Sequence, residues 1–322
     1  MATYKGIKGL TVPSKASDPT SVADAGLLYY STTSSAFKVV VNRSPSVGTW
    51  ASGGNLNNAR PDSTGAGAQT AALNAGGGPA NAKTETFNGS SWTEVNDLNT
   101  GRYGPCTGTQ TSALFSGGSP NVASVESWNG TSWTEMNDLN TGRSFAASAG
   151  ADNQSALTFG GQSPQSALTE SWNGTSWTEV ADLNLARHVM YGTGSSTAAI
   201  GSGGNLPPSP YTANTELWNG TSWTEVADMN SIRGRGGQSG STTDALVFGG
   251  TSGPSALAIT EAWNGTSWTE LNDLSTARYG GSGTTGTVGS TNATLYAGGS
   301  GPTAATELWN SGDFEIKTVT TS

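Results

Sequence analysis

One motif returns along most of the chain and constrains the fold more than any other feature. Its clearest copy, T-E-S-W-N-G-T-S-W-T-E-V-A-D-L-N-L-A-R, covers residues 169–187. The second Trp of the motif recurs at intervals of 41, 44, 46 and 45 residues. These residues are Trp92, Trp133, Trp177, Trp223 and Trp268, with Trp50 in the same register 42 residues before the first. Such an array predicts a repeat architecture, because each unit buries its apolar face against its neighbours.

Each unit has the pattern of four short strands. A strand of small residues follows a repeat Arg, an apolar strand ends at Gly-Gly, and T-E-S-W and W-T-E-V flank Asn-Gly. Asn-Gly is a strong hairpin signal because both residues tolerate positive φ. No 3.6-residue apolar period is sustained, and Gly, Ser, Thr and Asn are poor helix-interior residues. The sequence therefore predicts an all-β protein.

Counting the motif positions predicts how the array closes. The Glu-x-aromatic pair occurs six times, but the second aromatic position occurs seven times. Residues 48–52, with Trp50 ten residues before Arg60, are expected to form the outer strand of the last unit, leaving no open edge. Residues 313–322, with Phe314 in the Trp register, compete for that place and are expected to add at an edge or to leave the unit. The prediction is a six-bladed β-propeller over residues 48–322.

The Gly-Gly pair, the paired aromatic residues and a following L-x-x-A-R, as in Leu183–Arg187, resemble the kelch repeat. The resemblance spans all six units and implies a kelch-type propeller. The repeat Arg residues are Arg60, Arg102, Arg143, Arg187, Arg233 and Arg278. They either form a cationic ring at the channel mouth that binds an anionic sugar or phosphate, or tie loops to backbone carbonyls and a repeat Glu. Their recurrence in every unit favours the second role.

Residues 1–47 do not belong to the repeat. Leu27–Tyr30 and Ala36–Val41 flank S-T-T-S-S and predict a β-hairpin. A lone hairpin is marginal in water, so this one is expected to pack on the main domain, on copies of itself or on a partner. The attachment residues proposed from the sequence are Leu28, Tyr29, Tyr30, Phe37 and Val39.

The stretch G-L-L-Y-Y-S-T-T-S-S-A-F-K-V-V-V at 26–41, preceded by D-P-T-S, resembles the leader of appendage and fibre proteins of marine tailed phages. The resemblance implies a virion protein, such as a tail fibre, a spike or a capsid decoration. It also implies that this segment binds other virion proteins, that the chain is a homo-oligomer on the particle, and that a host glycan is a candidate ligand. The alternative is a disordered lead-in with one hairpin.

Composition excludes several classes of protein. A net charge of −9, with 14 Lys and Arg and no basic run, argues against nucleic-acid binding. Cys106 is the only cysteine, so an intrachain disulfide and a thiolate metal cluster are excluded. Neither a signal peptide nor a long apolar run is present, so we expect synthesis in a host cytoplasm without membrane insertion.

No catalytic constellation stands out. A kelch-type copper oxidase needs two His and a Tyr joined to a Cys, and the chain has only His188 and Cys106. A Ser-His-Asp triad has no G-x-S-x-G elbow, N-G-T-S-W lacks the Asp of the sialidase Asp box, and evenly repeated Glu residues single out no catalytic pair. The prediction is a non-enzymatic protein without metal or cofactor. The alternatives are a carbohydrate-active hydrolase or lyase and an intracellular kelch adaptor.

Specific binding is expected where the units differ, since repeated residues serve packing. The candidates are Tyr103, Phe145, His188, Tyr191, Arg235 and Tyr279, just after the repeat Arg residues, and Tyr211 in the longest insertion. Aromatic side chains on loops suit contact with a sugar or a protein. Loop drift between duplicated units is the alternative explanation.

Overall fold

The computed structural model describes residues 13–16, 28–41, 48–162, 165–206, 211–284, 292–301, 303–311 and 315–318. All regular structure in these ranges is β, and they contain no helix of the length and apolarity that a membrane span needs. The strands are β1 Ser14–Lys15, β2 Leu28–Ser31, β3 Ala36–Val41, β4 Thr49–Ser52, β5 Thr64–Ala68, β6 Ala71–Ala75, β7 Thr84–Phe87, β8 Trp92–Glu94, β9 Cys106–Gly108, β10 Ala113–Gly118, β11 Val122–Trp128, β12 Trp133–Met136, β13 Ala147–Asp152, β14 Ser155–Phe159, β15 Thr169–Trp172, β16 Trp177–Val180, β17 Tyr191–Gly194, β18 Ala199–Ser202, β19 Thr215–Trp218, β20 Trp223–Val226, β21 Gly237–Ser241, β22 Asp244–Phe248, β23 Thr260–Trp263, β24 Trp268–Glu270, β25 Ser282–Gly283, β26 Ala293–Ala297, β27 Thr306–Asn310 and β28 Glu315–Thr318.

The described strands form seven four-stranded sheets, where the repeat predicts six. Six sheets lie in the compact unit Gly48–Asn310 and are called blades here. Blades 1 to 5 are β5–β8, β9–β12, β13–β16, β17–β20 and β21–β24, and blade 6 is β25–β27 with β4. The seventh sheet joins β1, β2, β3 and β28 in a second unit, which comprises residues 1–47 and 311–322. The repeat pattern does not predict this sheet, because its strands come from the two non-repetitive ends of the chain.

The second unit is built on the hairpin of β2 and β3. Leu28 faces Val39 and Tyr30 faces Phe37 across the ladder, and the rings of Tyr30 and Phe37 meet edge to face at 5.2 Å. Tyr29 is fully buried. β28 pairs antiparallel with β3, so both ends of the chain contribute to one sheet. Phe314 lies outside the described residues.

The Asn-Gly hairpins differ from expectation in one respect. In blade 2 the turn spans four residues between the facing pair Trp128 and Trp133, and Gly130 has a φ of 92° while Asn129 keeps an ordinary negative φ. The Asn129 side-chain oxygen instead accepts the backbone N–H groups of Thr131 and Ser132, both at 2.9 Å. Asn therefore acts through its side chain, as an Asx-type turn residue.

The six blades pack side by side. Each innermost strand, β5, β9, β13, β17, β21 and β25, contacts the next, and β25 contacts β5. In blade 6 the outer strand is β4, where Trp50 faces Trp309. The outer Trp of one blade packs on the preceding blade, as Trp223 does on Phe159 with ring centroids 4.7 Å apart. This radial arrangement is that of a β-propeller.

Candidate functional site

The six repeat Arg residues are buried structural groups. Each guanidinium pairs with a Glu on the third strand of its own blade, as Arg187 Nη2 does with Glu216 Oε1 at 3.0 Å. Glu216 also accepts the backbone and side-chain N–H groups of Asn184, both at 2.8 Å. Burial lowers the pKa of Arg187, and the charge of Glu216 opposes that shift. The alternative of a cationic ring at the channel mouth is therefore wrong, because the six guanidinium groups are buried and paired with Glu inside the blades.

A belt of backbone hydrogen bonds links five of the six blades just before their innermost strands begin, at the end of the blades that we call the mouth. Its members, each two residues after a repeat Arg, are Asp62, Phe145, Val189, Arg235 and Gly280, and we call them the rim belt. The backbone N–H of each of four members donates to the carbonyl of the member one blade before, at 2.9 Å from Val189, 2.8 Å from Arg235, 2.6 Å from Gly280 and 2.5 Å from Asp62. The belt thus ties five blades together directly at the mouth.

Four non-glycine residues of the rim belt have a left-handed backbone. The φ angles are 54° at Asp62, 54° at Phe145, 50° at Val189 and 62° at Arg235. Such a conformation costs about 1–2 kcal/mol for most residues, and the cost is highest for β-branched and bulky ones such as Val and Phe. Residues held in this way cluster at functional sites, because only a rigid surrounding structure maintains them. The rim belt is therefore a candidate site by its backbone alone.

Blade 2 interrupts the belt. The innermost strand of blade 2 begins with Cys106, which lies four residues after Arg102. In blade 3 the residue at the same ladder position is Ser148, which lies five residues after Arg143. One residue is missing, and Gly104 makes no belt hydrogen bond with the described residues of its neighbours. The ring of Tyr103 lies beside this interruption, 5.0 Å from the ring of Phe145.

All five residues of the rim belt line a cavity of about 140 Å³ at the mouth. Its charged lining residues among those described are Asp62 and Arg235. They form a bidentate pair, with Nε to Oδ1 at 2.9 Å and Nη2 to Oδ2 at 2.6 Å. Gly280 lies between them in the belt, and a Cβ there would lie 2.6 Å from Asp62 Oδ1. The pair joins blade 5 to blade 1 past blade 6, which has no side chain at this position.

Aromatic side chains flank the ion pair. The Arg235 guanidinium lies 4.9 Å from the ring centroid of Tyr279 and 5.8 Å from that of Phe145. The His188 ring lies 6.4 Å from Phe145. Burial raises the pKa of Tyr211, and the nearby charge of Arg235 opposes that shift. Burial by itself would lower the pKa of Arg235, but the hydrogen bonds to Asp62 and the charge of Asp62 hold that pKa above its usual value. The mouth combines apolar ring faces with one self-neutralised ion pair.

The structure thus brings most sequence-derived candidates to one place. Tyr191 also lines the cavity, but it is only 2% exposed and its hydroxyl donates to the carbonyl of Gly249 at 3.1 Å, so it is not an accessible contact residue. Sequence reasoning missed Asp62. This residue had a signal, since a carboxylate two residues after a repeat Arg breaks the repeat. In the described part of the chain, no three His, Cys, Asp or Glu side chains converge as metal ligands.

Comparison with known proteins supports the fold. No family model matches the chain, and no curated protein matches it by sequence. Among solved structures, one titled "Structure of YjhT" superposes with a TM-score of 0.65 at 13% identity, over 82% of this chain and 99% of that one. In fold, the chain is a β-propeller.

The match with YjhT overturns the prediction of a non-enzymatic protein, which rested on missing catalytic motifs. At 13% identity the likeness shows the fold alone, and one fold carries catalytic and binding sites alike. Absence of familiar motifs therefore does not exclude catalysis here. The kelch resemblance, which no family model supports, stays a prediction.

Proposed function

We propose that the chain is a carbohydrate-active propeller that binds a glycan at the channel mouth and acts on it there. The observation that supports it is the gathering of Tyr103, Phe145 and Tyr279 around the Arg235–Asp62 pair. Aromatic rings offer large apolar faces for a sugar ring, and a few convergent polar groups orient the ligand. The Arg235 and Asp62 side chains are 32% and 15% exposed, so they remain accessible to hydroxyl groups.

Two acid–base groups of the described residues lie near the mouth: Asp62 lines the cavity, and His188 lies beside Phe145. Burial lowers the pKa of His188, which favours the neutral imidazole, the form that can accept a proton. The repeat Glu residues are excluded from this role because they are buried in the Arg pairs. We therefore assign proton transfer to His188 and Asp62.

Binding and turnover on a panel of purified neutral and acidic polysaccharides test the proposal. Affinity electrophoresis measures binding, while release of reducing ends and absorbance of unsaturated products measure hydrolysis and elimination. Tyr103→Ala and Tyr279→Ala are each expected to weaken binding about tenfold, and the matched Tyr→Phe variants to retain it, since the ring face survives. Asp62→Asn and His188→Gln are expected to lose turnover while still binding. Undiminished binding by the double Tyr→Ala variant would contradict the proposal.

We further propose that the six blades form a closed kelch-type propeller carried on a phage particle. This rests on the repeat and on the resemblance of residues 26–41 to a phage leader. The unit built on β2 and β3 would bind other virion proteins and support a homo-oligomer. Mass spectrometry of purified virions tests the location, and absence of the chain from the particle would refute it.

A further inference from the structure

Arg235 is the one Arg of residues 48–310 that lies outside the six repeat positions. Its side chain is 32% exposed, whereas the side chains of the repeat Arg residues are buried against Glu. The repeat explains those six as structural ion pairs inside the blades, so Arg235 needs a separate explanation.

The Arg235 guanidinium lies over the cavity at the mouth. Arg235 precedes the innermost strand of blade 5, but its guanidinium pairs with Asp62 of blade 1 and lies 5.8 Å from the ring of Phe145 of blade 3. In the series of contacts between innermost strands, blades 1 and 3 each lie two places from blade 5, in opposite directions. A group within reach of both lies between them, over the cavity that all three residues line.

One edge of this guanidinium is free. A guanidinium carries five N–H donors in a rigid planar fork. Nε and Nη2 of Arg235 donate to the two carboxylate oxygens of Asp62, at 2.9 and 2.6 Å, which occupies one edge of the fork. The other edge consists of Nη1 and the second N–H of Nη2. In the part of the chain that the structure describes, Nη1 has no hydrogen-bond partner, and it is not a buried atom.

The free edge is held in place before any ligand binds. The backbone N–H of Arg235 donates to the carbonyl of Val189 at 2.8 Å, and its carbonyl accepts from the N–H of Gly280 at 2.6 Å, so the rim belt fixes the backbone on both sides. Asp62 and the neighbouring aromatic rings fix the other end of the side chain. A ligand therefore gains hydrogen bonds here without the entropic cost of ordering a long side chain.

We propose that the free edge of Arg235 binds two adjacent hydroxyl oxygens of a neutral sugar. The two N–H groups of this edge are parallel, so they select two acceptors that lie side by side, and neighbouring hydroxyls of a sugar ring present such a pair. A second carboxylate is disfavoured, because Asp62 already neutralises Arg235 and these two are the charged lining residues among those described. This inference rests on the proposed function and names its substrate class, neutral glycans with an unsubstituted vicinal diol.

The test measures, by calorimetry, the binding of methyl glucoside, galactoside and mannoside, of their monodeoxy analogues, and of the methyl glycoside of glucuronic acid. For at least one parent glycoside, loss of either of two adjacent hydroxyls is expected to weaken binding to the wild-type chain at least about tenfold, because a charged donor is left unpaired. Arg235→Met is expected to bind that parent and its two deoxy analogues equally. Arg235→Lys keeps the charge but lacks the parallel N–H pair, so it should respond to at most one of the two hydroxyls.

Lys83→Met is the matched control. Lys83 is an ion-paired cation of blade 1 that does not line the cavity, so this variant is expected to keep the wild-type response. Affinity electrophoresis on polysaccharides that the wild type binds gives an independent measurement, in which Arg235→Met is expected to weaken binding at least about tenfold and Lys83→Met is expected to leave it unchanged. Melting curves establish that each variant is folded.

Three results would overturn this inference and leave the proposed function standing. In the first, folded Arg235→Met keeps the wild-type response to the hydroxyl pair or the wild-type affinity for polysaccharide. In the second, the hydroxyls that matter are not adjacent. In the third, the glucuronide binds more tightly than the glucoside, which would assign an anion to the free edge. A wild-type chain that binds neither glycoside nor polysaccharide would refute the proposed function, and this inference with it.

Discussion

Replacing Val125 by Thr is expected to stabilise the protein. In four blades the outer Trp donates its indole N–H to a Thr hydroxyl on the preceding blade, at 3.0 Å each time. These pairs are Trp50–Thr260, Trp92–Thr306, Trp133–Thr84 and Trp223–Thr169. Trp268 donates to the Ala227 carbonyl instead. Trp177 meets Val125 at this position, and its Nε1 has no partner in the described part of the chain.

The magnitude follows from the cost of an unpaired donor. A buried hydrogen bond contributes about 1 kcal/mol net, and leaving its donor unpaired costs about 1–3 kcal/mol. Val and Thr have nearly the same shape, and Val125 is fully buried, so the change adds little strain. Val125→Thr should raise the free energy of unfolding by about 1 kcal/mol, which corresponds to about 2–4 °C in melting temperature for a large domain. The mirror change, Thr84→Val, leaves Trp133 Nε1 unpaired and should lower it by about 1–3 kcal/mol.

Urea denaturation followed by Trp fluorescence, with wild type and both variants, measures the two effects. The decisive feature is their opposite sign. If Val125→Thr destabilises the protein as much as Thr84→Val does, the cost of burying the hydroxyl exceeds the gain of the bond, and the reasoning fails.

Three further predictions concern the Arg network and the mouth. Arg187→Ala should lower the free energy of unfolding by about 3–5 kcal/mol because it leaves the Glu216 carboxylate buried without a counter-ion. Denaturation should show a smaller loss for the double change Arg187→Met with Glu216→Leu. Gly280→Ala should lower it by about 1–3 kcal/mol, because it strains a left-handed position and places Cβ against Asp62, whereas an unchanged melting curve would contradict this. The pKa of His188 is lowered in the folded state, so the unfolded chain takes up a proton first and stability falls as pH drops below the ordinary value of about 6.5. His188→Gln should lose less stability than wild type between about pH 7 and pH 5 in paired melting curves.

The four-stranded unit could be predicted because its signals are local. Each signal determines structure within a few residues of its own position. This holds for the alternation of Trp and Glu, for the Gly pair and for Asn-Gly. The seventh sheet could not be predicted in this way, because β28 pairs with β3 across nearly the whole chain and neither strand belongs to the repeat. The role of the repeat Arg residues was left open for a similar reason, since a motif shows which charges recur but not whether they face solvent or a carboxylate.

The sequence by itself determined the all-β class, the recurring unit and the places where that unit is broken, since these depend on periodicity and turn chemistry within short stretches. Only the tertiary structure decided that the breaks meet. Asp62 and Arg235 are 173 residues apart in the chain and become partners because the blades pack side by side and Gly280 leaves the space between them open.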